Sequence, residues 1–325
     1  MVVGREGWTR RGLAAAGAVG LGTLARSTAT RARERPRRAA RSETLSVVVP
    51  VLNEESALPA CLRFLGSIDG LLEVVVVDGG SMDGTKRAFR KSRRDATRGG
   101  AECLLVETKM ACRAKQMNAG ARAARGDRVL FLHADTIVPV DSAMLISRAF
   151  SKDSRVRLAA FRPIIRHEGR TMRGMTALHV LKTRLGPLLF RPLAALAGLK
   201  LFFGDQAMVV QRDHFLSLGG FNESLGIMED MDLCVKMFYG IDGNSSDSER
   251  TSLRQVRRVP RRQRQLQGGT LAQIEGRAET SGRRVAEWGA LRSLQVYLVL
   301  SLSYAFGASP RALNQLARRE YTEVR

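Results

Sequence analysis

Leu45-Ser46-Val47-Val48-Val49-Pro50-Val51-Leu52-Asn53-Glu54 is the stretch whose reading decides the fold. It opens as a continuous β-branched, apolar run, the pattern of a strand buried on both faces. A second such run, Glu73-Val74-Val75-Val76-Val77, follows it, and between the two Leu58, Leu62 and Leu65 recur at helical spacing. The rhythm then repeats: a helix over 85–94, a strand over 103–106, a helix over 113–125 and the strand Val129-Leu130-Phe131-Leu132. Apolar strands alternating with amphipathic helices predict an α/β fold, a mostly parallel sheet covered by helices on both faces. This core is expected to span 44–240.

After Asp135 the pattern loosens. A helix over 142–150 and a strand over 157–165 lead into a long apolar and basic stretch, 171–203. A short strand over 207–211, a helix opening at Asp213, a Gly/Asn loop over 221–226 and a helix over 228–239 follow. Residues 241–279 are polar and Arg-rich, which reads as a disordered insertion. An apolar helix resumes over 288–306, so 280–325 is expected to form a helical C-terminal extension.

The chain of 325 residues carries a formal charge of +22, which taken alone suggests a nucleic-acid partner. Mapped along the chain, the charge is local. Residues 1–43 hold 10 Arg and 3 Glu, giving +7, and residues 250–284 hold 10 Arg and 2 Glu, giving +8. The remaining 247 residues carry only +7. With aromatics at 6% and no nucleic-acid-binding motif, a nucleic-acid partner is disfavoured.

Within 1–43, Thr9-Arg10-Arg11-Gly12-Leu13 precedes an Ala/Gly/Leu run, which resembles a twin-arginine export signal. Its Arg-rich, acid-poor composition equally suits a plastid or mitochondrial transit peptide, or a disordered basic leader. The four cysteines form no C-x-x-C pair, and the four histidines lack metal-site spacing. Segments 181–203 and 291–306 interleave apolar and basic residues. Each reads either as a helix packed on the core or as a peripheral contact with an anionic membrane.

In an open parallel sheet, ligands collect outside the carboxyl ends of the strands. There the chain places Asn53-Glu54-Glu55, then Asp78-Gly79-Gly80-Ser81 with Asp83-Gly84-Thr85, then His133-Ala134-Asp135-Thr136. Each cluster alone reads as a turn or helix cap. Together, three strands deliver carboxylates to one edge. A carboxylate there can accept hydrogen bonds from a base or ribose, and another can hold Mg2+ or Mn2+ against a diphosphate. No G-x-G-x-x-G follows the first strand, which argues against a dehydrogenase.

These residues resemble family 2 glycosyltransferases of the GT-A (Rossmann-like) fold. The likeness runs from Pro50–Glu54 and Val77–Thr85 through Arg113-Ala114-Lys115-Gln116-Met117-Asn118-Ala119-Gly120 and Gly126-Asp127 to Leu132–Thr136. It continues through Gly204-Asp205-Gln206-Ala207, Gly219-Gly220-Phe221, Met228-Glu229-Asp230-Met231-Asp232-Leu233 and Thr280-Ser281-Gly282-Arg283-Arg284. The set is most similar to the branch called "transferase 2, rSAM/selenodomain-associated".

The resemblance implies an enzyme that moves a sugar from a nucleoside-diphosphate sugar, uridine-linked by analogy, to a hydroxyl acceptor. The acceptor itself is not identified, and a lipid-linked one is a candidate. Glu54 and Asp78 would contact the ribose and base; Asp135 would bind the metal; Arg113 and Lys115 would lie near the nucleotide. Asp230, paired with Glu229 at the opening of a helix, would be the general base of an inverting displacement. Asp205 and Gln206 would shape the acceptor or donor-sugar pocket, and Arg283 would meet phosphate. His133 departs from the family's D-x-D motif, leaving Asp135 as its one carboxylate. Asp127 reads as a turn residue between helix and strand.

Overall fold

The computed structural model describes residues 43–241, 250–256 and 268–320. The first half is an alternation of strand and helix, as the apolar pattern requires. Strands β1 (Leu45–Val51), β2 (Leu71–Asp78), β3 (Glu102–Glu107) and β4 (Arg128–Phe131) alternate with α1 (Leu58–Leu65), α2 (Thr85–Ala96) and α3 (Arg113–Ala123). β1 pairs in parallel with β2 on one side and β4 on the other, and β2 pairs in parallel with β3. Pro50 lies beyond the Leu45–Val48 stretch that pairs with β4, so its missing N–H does not interrupt that ladder.

Successive strand residues point to opposite faces, and each face is buried against its own helices. Val48, Val75, Val77 and Phe131 pack with Ala114, Met117 and Ala121 of α3. Val47, Val49, Val74 and Val76 pack with Leu58 and Leu62 of α1. The helix α4 (Ser142–Ser151) adds Ile146 to that second cluster.

The second half extends the same sheet. β5 (Val156–His167) turns back through β6 (Arg170–Thr171) into α5 (Arg173–Phe190) and α6 (Pro192–Leu196). A 3-10 turn, Gly204–Gln206, precedes β7 (Met208–Gln211), which runs antiparallel to both β4 and β5. Then come α7 (Arg212–Ser217), α8 (Glu229–Tyr239), α9 (Ser252–Val256), β8 (Thr270–Ser281), α10 (Arg283–Trp288), α11 (Ala290–Ala305) and α12 (Pro310–Glu320). Among the described residues the sheet has eight strands, in the order β3-β2-β1-β4-β7-β5-β6 with β8 joined to β5. The expected architecture, a mostly parallel sheet with helices on both faces and helices at the C-terminal end, is the observed one.

The expectation of disorder across 241–279 is corrected. Ser252–Val256 is helical, and Thr270–Ser281 is a long strand parallel to β5. Only Leu271, Ile274 and Ala278 of that strand are buried apolar residues, so composition understates it. Backbone pairing with β5, set by residues far away in sequence, supplies what the side chains lack. Thr280 and Ser281, assigned above to the helical extension, close this strand. The remaining residues of the insertion, 242–249 and 257–267, and the leader over 1–42 lie outside the described residues. Asp127 is a turn residue as expected: its Oδ2 accepts hydrogen bonds from Thr44 N–H and Oγ1–H, both at 2.8 Å.

Candidate active site

The loops after β1 and β2 are stitched into one rim. Asn53 takes a left-handed backbone (φ 54°), a conformation asparagine tolerates, and turns the chain out of β1. Its N–H donates to Ser81 Oγ and its Oδ1 accepts from Met82 N–H, both at 2.9 Å. Glu54 N–H donates to Thr85 Oγ1 at 2.8 Å. Beneath the rim, Gln116 of α3 donates from Nε2 to the carbonyls of Val51 (2.8 Å) and Val77 (2.9 Å), locking the two strand ends together. A Cβ at Gly79 would stand 2.9 Å from the Gln116 amide, so this position needs glycine for close approach.

Asp78 does not reach the surface. It is fully buried, and its carboxylate accepts from Gly80 N–H at 3.2 Å, from Ser81 N–H at 3.1 Å and from Ser81 Oγ–H. In this geometry it shapes the loop that opens α2.

The loop after β4 brings in Asp135. Its Oδ2 lies 3.3 Å from Arg283 Nη2, and both side chains are part-exposed. β8 holds this loop in place: Ile137 and Glu279 exchange backbone hydrogen bonds at 2.8 and 2.7 Å, and Thr136 Oγ1 meets Thr280 Oγ1 at 3.3 Å. Glu54 shares the neighbourhood. Burial raises its pKa, the Asp135 charge raises it further, and Arg283 offsets part of the rise.

Asp230, in the first turn of α8, closes the site from the other side. Its Oδ2 accepts from Gly204 N–H at 2.8 Å and its Oδ1 from Met231 N–H at 2.7 Å. Burial nevertheless raises its pKa above that of an ordinary aspartate, with the two N–H groups and the Lys182 charge opposing. Glu229 is buried beside it and pairs with Arg113 Nη1 at 3.6 Å. Burial first, then the Asp230 charge, pushes Glu229 up to about 7. His133 Nε2 would lie 3.2 Å from a Cβ at Gly204, so the imidazole and Asp230 flank the same glycine. Burial and the Arg113 charge lower His133 to about 4, leaving it neutral near pH 7.

Two non-glycine residues with left-handed backbone, Ala207 (φ 49°) and Met228 (φ 67°), adjoin the Gly204–Gln206 turn and the Glu229–Asp230 pair. Strain of this kind, roughly 1–3 kcal/mol each, persists where the surroundings over-determine it, and such places cluster at functional sites.

Next to Asp230, the expected Asp205 and Gln206 meet three residues of α5 that the sequence reading did not assign to a site, His179, Lys182 and Thr183. His179 Nδ1 is 3.3 Å from Asp205 Oδ2, and Gln206 Nε2 lies 3.1 Å from His179 Nε2 and 2.8 Å from Thr183 Oγ1. Thr183 Oγ1–H donates in turn to His179 O at 3.0 Å. The Thr183 hydroxyl proton is spent on His179 O, so Gln206 Nε2–H donates to Thr183 Oγ1 and its second proton faces His179 Nε2. Lys182 sits 3.5 Å from the centre of the Phe203 ring, and burial lowers its pKa against the pull of Asp205 and Asp230. Helical spacing within the stretch 171–203 is the one signal that could have joined His179, Lys182 and Thr183 to a site.

The structure therefore brings Glu54, Asp135, Arg283, His133, Arg113, Glu229, Asp230 and Asp205 to one edge of the sheet. It buries Asp78 in its own loop. It turns Gln206 toward His179 and Thr183, and it leaves the Lys115 ammonium 3.3 Å from Met110 Sδ.

Among the described residues no three His, Cys, Asp or Glu side chains form a metal cage. The donor set, one part-exposed carboxylate facing an open rim, suits a hard divalent ion that takes most of its ligands from a diphosphate and water. It does not suit zinc.

This fold, with carboxylates at the carboxyl ends of its parallel strands, defines a Rossmann-like α/β enzyme. The model of the family "Glycosyl transferase family 2" matches residues 46–218, and the chain belongs to that family of glycosyltransferases. A search of curated proteins finds no match. Among solved structures, a mannosyltransferase from Pyrobaculum calidifontis, in complex with GDP-Man and Mn2+, is similar with a TM-score of 0.55 and 18% identity. The match covers 86% of this chain and 70% of that one, and it is a likeness of fold. Glucosyl-3-phosphoglycerate synthase from Mycobacterium tuberculosis aligns at a TM-score of 0.48 and 19% identity, covering 81% of this chain and 80% of that one.

Proposed function

We propose that the protein transfers a sugar from a nucleoside-diphosphate sugar to a hydroxyl acceptor by a metal-assisted, inverting displacement in which Asp230 is the general base. Within family 2 we place it in the rSAM/selenodomain-associated branch, on the motifs named above. The observation that carries the reading is the meeting of Asp230 and His133 at Gly204, on the same edge as Asp135 and Glu54.

Each residue has a task there. Glu54 binds the nucleoside, and the Asp78 loop supports it. Arg113 and Arg283 offset phosphate charge. Asp135 would hold Mg2+ or Mn2+, which neutralises the diphosphate and stabilises it as a leaving group. Asp230, made more basic by burial, takes the acceptor hydroxyl proton as the oxygen attacks the anomeric carbon from the face opposite the diphosphate. The two backbone N–H groups keep the carboxylate aimed while its remaining lone pairs stay available. Asp205, held by His179, orients a sugar or acceptor hydroxyl. The donor is taken as uridine-linked; the Pyrobaculum mannosyltransferase holds a guanosine-linked sugar, so both belong in the test.

Slow hydrolysis of the donor, with water in place of the acceptor, provides that test. Proton NMR of the purified chain with manganese and an α-linked UDP- or GDP-sugar should show the β-anomer appearing first. Asp230→Asn should lower this rate by roughly 10²–10⁴-fold while nucleotide binding persists. Initial release of the α-anomer, or an unchanged rate in Asp230→Asn, contradicts the proposal.

A further inference from the structure

Helix α5 has two faces with different work. His179, Lys182 and Thr183 look inward at Asp205 and Phe203. Leu181, Leu185 and Leu188, on the other side of the helix, are 50%, 41% and 45% exposed, Leu189 near its end is 75% exposed, and α6 continues the surface with Leu193 (83%) and Leu196 (79%). Helix α11 presents a second stripe, Leu291, Leu294 and Leu298, with Val299 beside it and Phe306 (87% exposed) just past its end. Tyr297 of α11 lies 5.0 Å from the Lys182 ammonium, so the two helices adjoin at the wall of the site.

Exposed leucines in this number are more than a monomer's surface ordinarily scatters. Their charge environment tells what covers them. From Gly169 to Gly204 there is no Asp or Glu, while Arg170, Arg173, Arg184, Arg191 and Lys200 occur besides the inward-facing Lys182; from Trp288 to Arg319 there is again none. An apolar face set among cations, with no anion, is the signature of a helix lying in the interface of an anionic bilayer. No helix among the described residues is long and apolar enough to cross a membrane, so such contact would be peripheral.

We propose that the leucine faces of α5–α6 and α11 form a peripheral docking surface for an anionic lipid bilayer. The leucines enter the acyl boundary, the flanking arginines meet phosphate headgroups, and the inward face of α5 brings the Asp205–Asp230 wall of the site to the lipid surface. This inference rests on the two helices and not on the catalytic reading, and either can fail alone.

Co-sedimentation of the full chain with phosphatidylcholine vesicles, with and without phosphatidylglycerol, tests it. The wild type should pellet with the anionic vesicles at low salt. The neutral triple variant Leu189→Gln/Leu193→Gln/Leu291→Gln should bind about tenfold or more weakly with its thermal midpoint little changed, since these positions are exposed. Equal binding by wild type and variant would show that charge elsewhere on the chain does the binding, and would overturn the proposal. So would a leucine-dependent dimer in size-exclusion chromatography with light scattering, which would make a second copy the occupant. As an independent readout, Leu193→Trp should shift its emission to the blue on adding anionic vesicles; unchanged emission when the protein is fully pelleted would also overturn it.

Discussion

Asp230 and Asp232 stand two residues apart in the same motif, and the helix sends them to opposite duties. Asp230 meets Gly204 N–H at the open edge. Asp232 is fully buried: its Oδ1 accepts from Ser252 N–H (2.7 Å) and Tyr304 Oη–H (2.8 Å), and its Oδ2 from Ser252 Oγ–H (2.7 Å). Replacing Asp232 by Ala strands these donors and should destabilise the fold by about 3 kcal/mol or more, read by urea denaturation. Asp230→Asn should lower activity sharply while costing only about 1 kcal/mol, since its amide can accept one of the two N–H groups but not both. Glu229 supplies a pH test. Its folded pKa is raised from 4.5 to about 7, so between those values the folded chain keeps a proton that the unfolded chain has released. Stability therefore falls as pH rises from about 4.5 to about 7 and is level in this group's contribution above that. Glu229→Gln should remove that slope, and denaturation near pH 5 and pH 8 should show the variant gaining on wild type at the higher pH. Parallel curves would mean that Glu229 is ionised throughout.

At the scale of elements, β1, β2 and β4 were legible because each is an apolar run whose ladder partners are buried on both faces. The loops after them were legible because turn chemistry and carboxylates coincide. The 12-residue strand β8 was not, since its pairing with β5 carries information that no local window holds. The consequence reaches the site: β8 delivers Arg283 to Asp135 and clamps the loop after β4. That His179 joins Asp205 and Gln206 was hidden for a similar reason, because α5 and the Gly204–Gln206 turn meet only in the fold. Gln116 shows how much one buried amide can fix. Gln116→Ala leaves the carbonyls of Val51 and Val77 without their donor and should cost about 1–3 kcal/mol of stability. Because the same amide positions both rim loops, nucleotide affinity should fall with it. A variant that keeps full affinity would separate the rim from its support.

For the whole molecule, the family match and the α/β architecture make the chain a glycosyltransferase, and the proposal sets donor, metal and base at the edge of the sheet. The most direct measurement is the thermal midpoint of the full chain with UDP, GDP and their sugars, with and without manganese. A ligand at about 100 times its dissociation constant stabilises the native state by about 2.7 kcal/mol, a shift of roughly 5 °C or more for a domain of this size. The account predicts that one diphosphate raises the midpoint in a manganese-dependent way and that Asp135→Asn abolishes the dependence. No response to any diphosphate and metal combination, or a full response in Asp135→Asn, would contradict it.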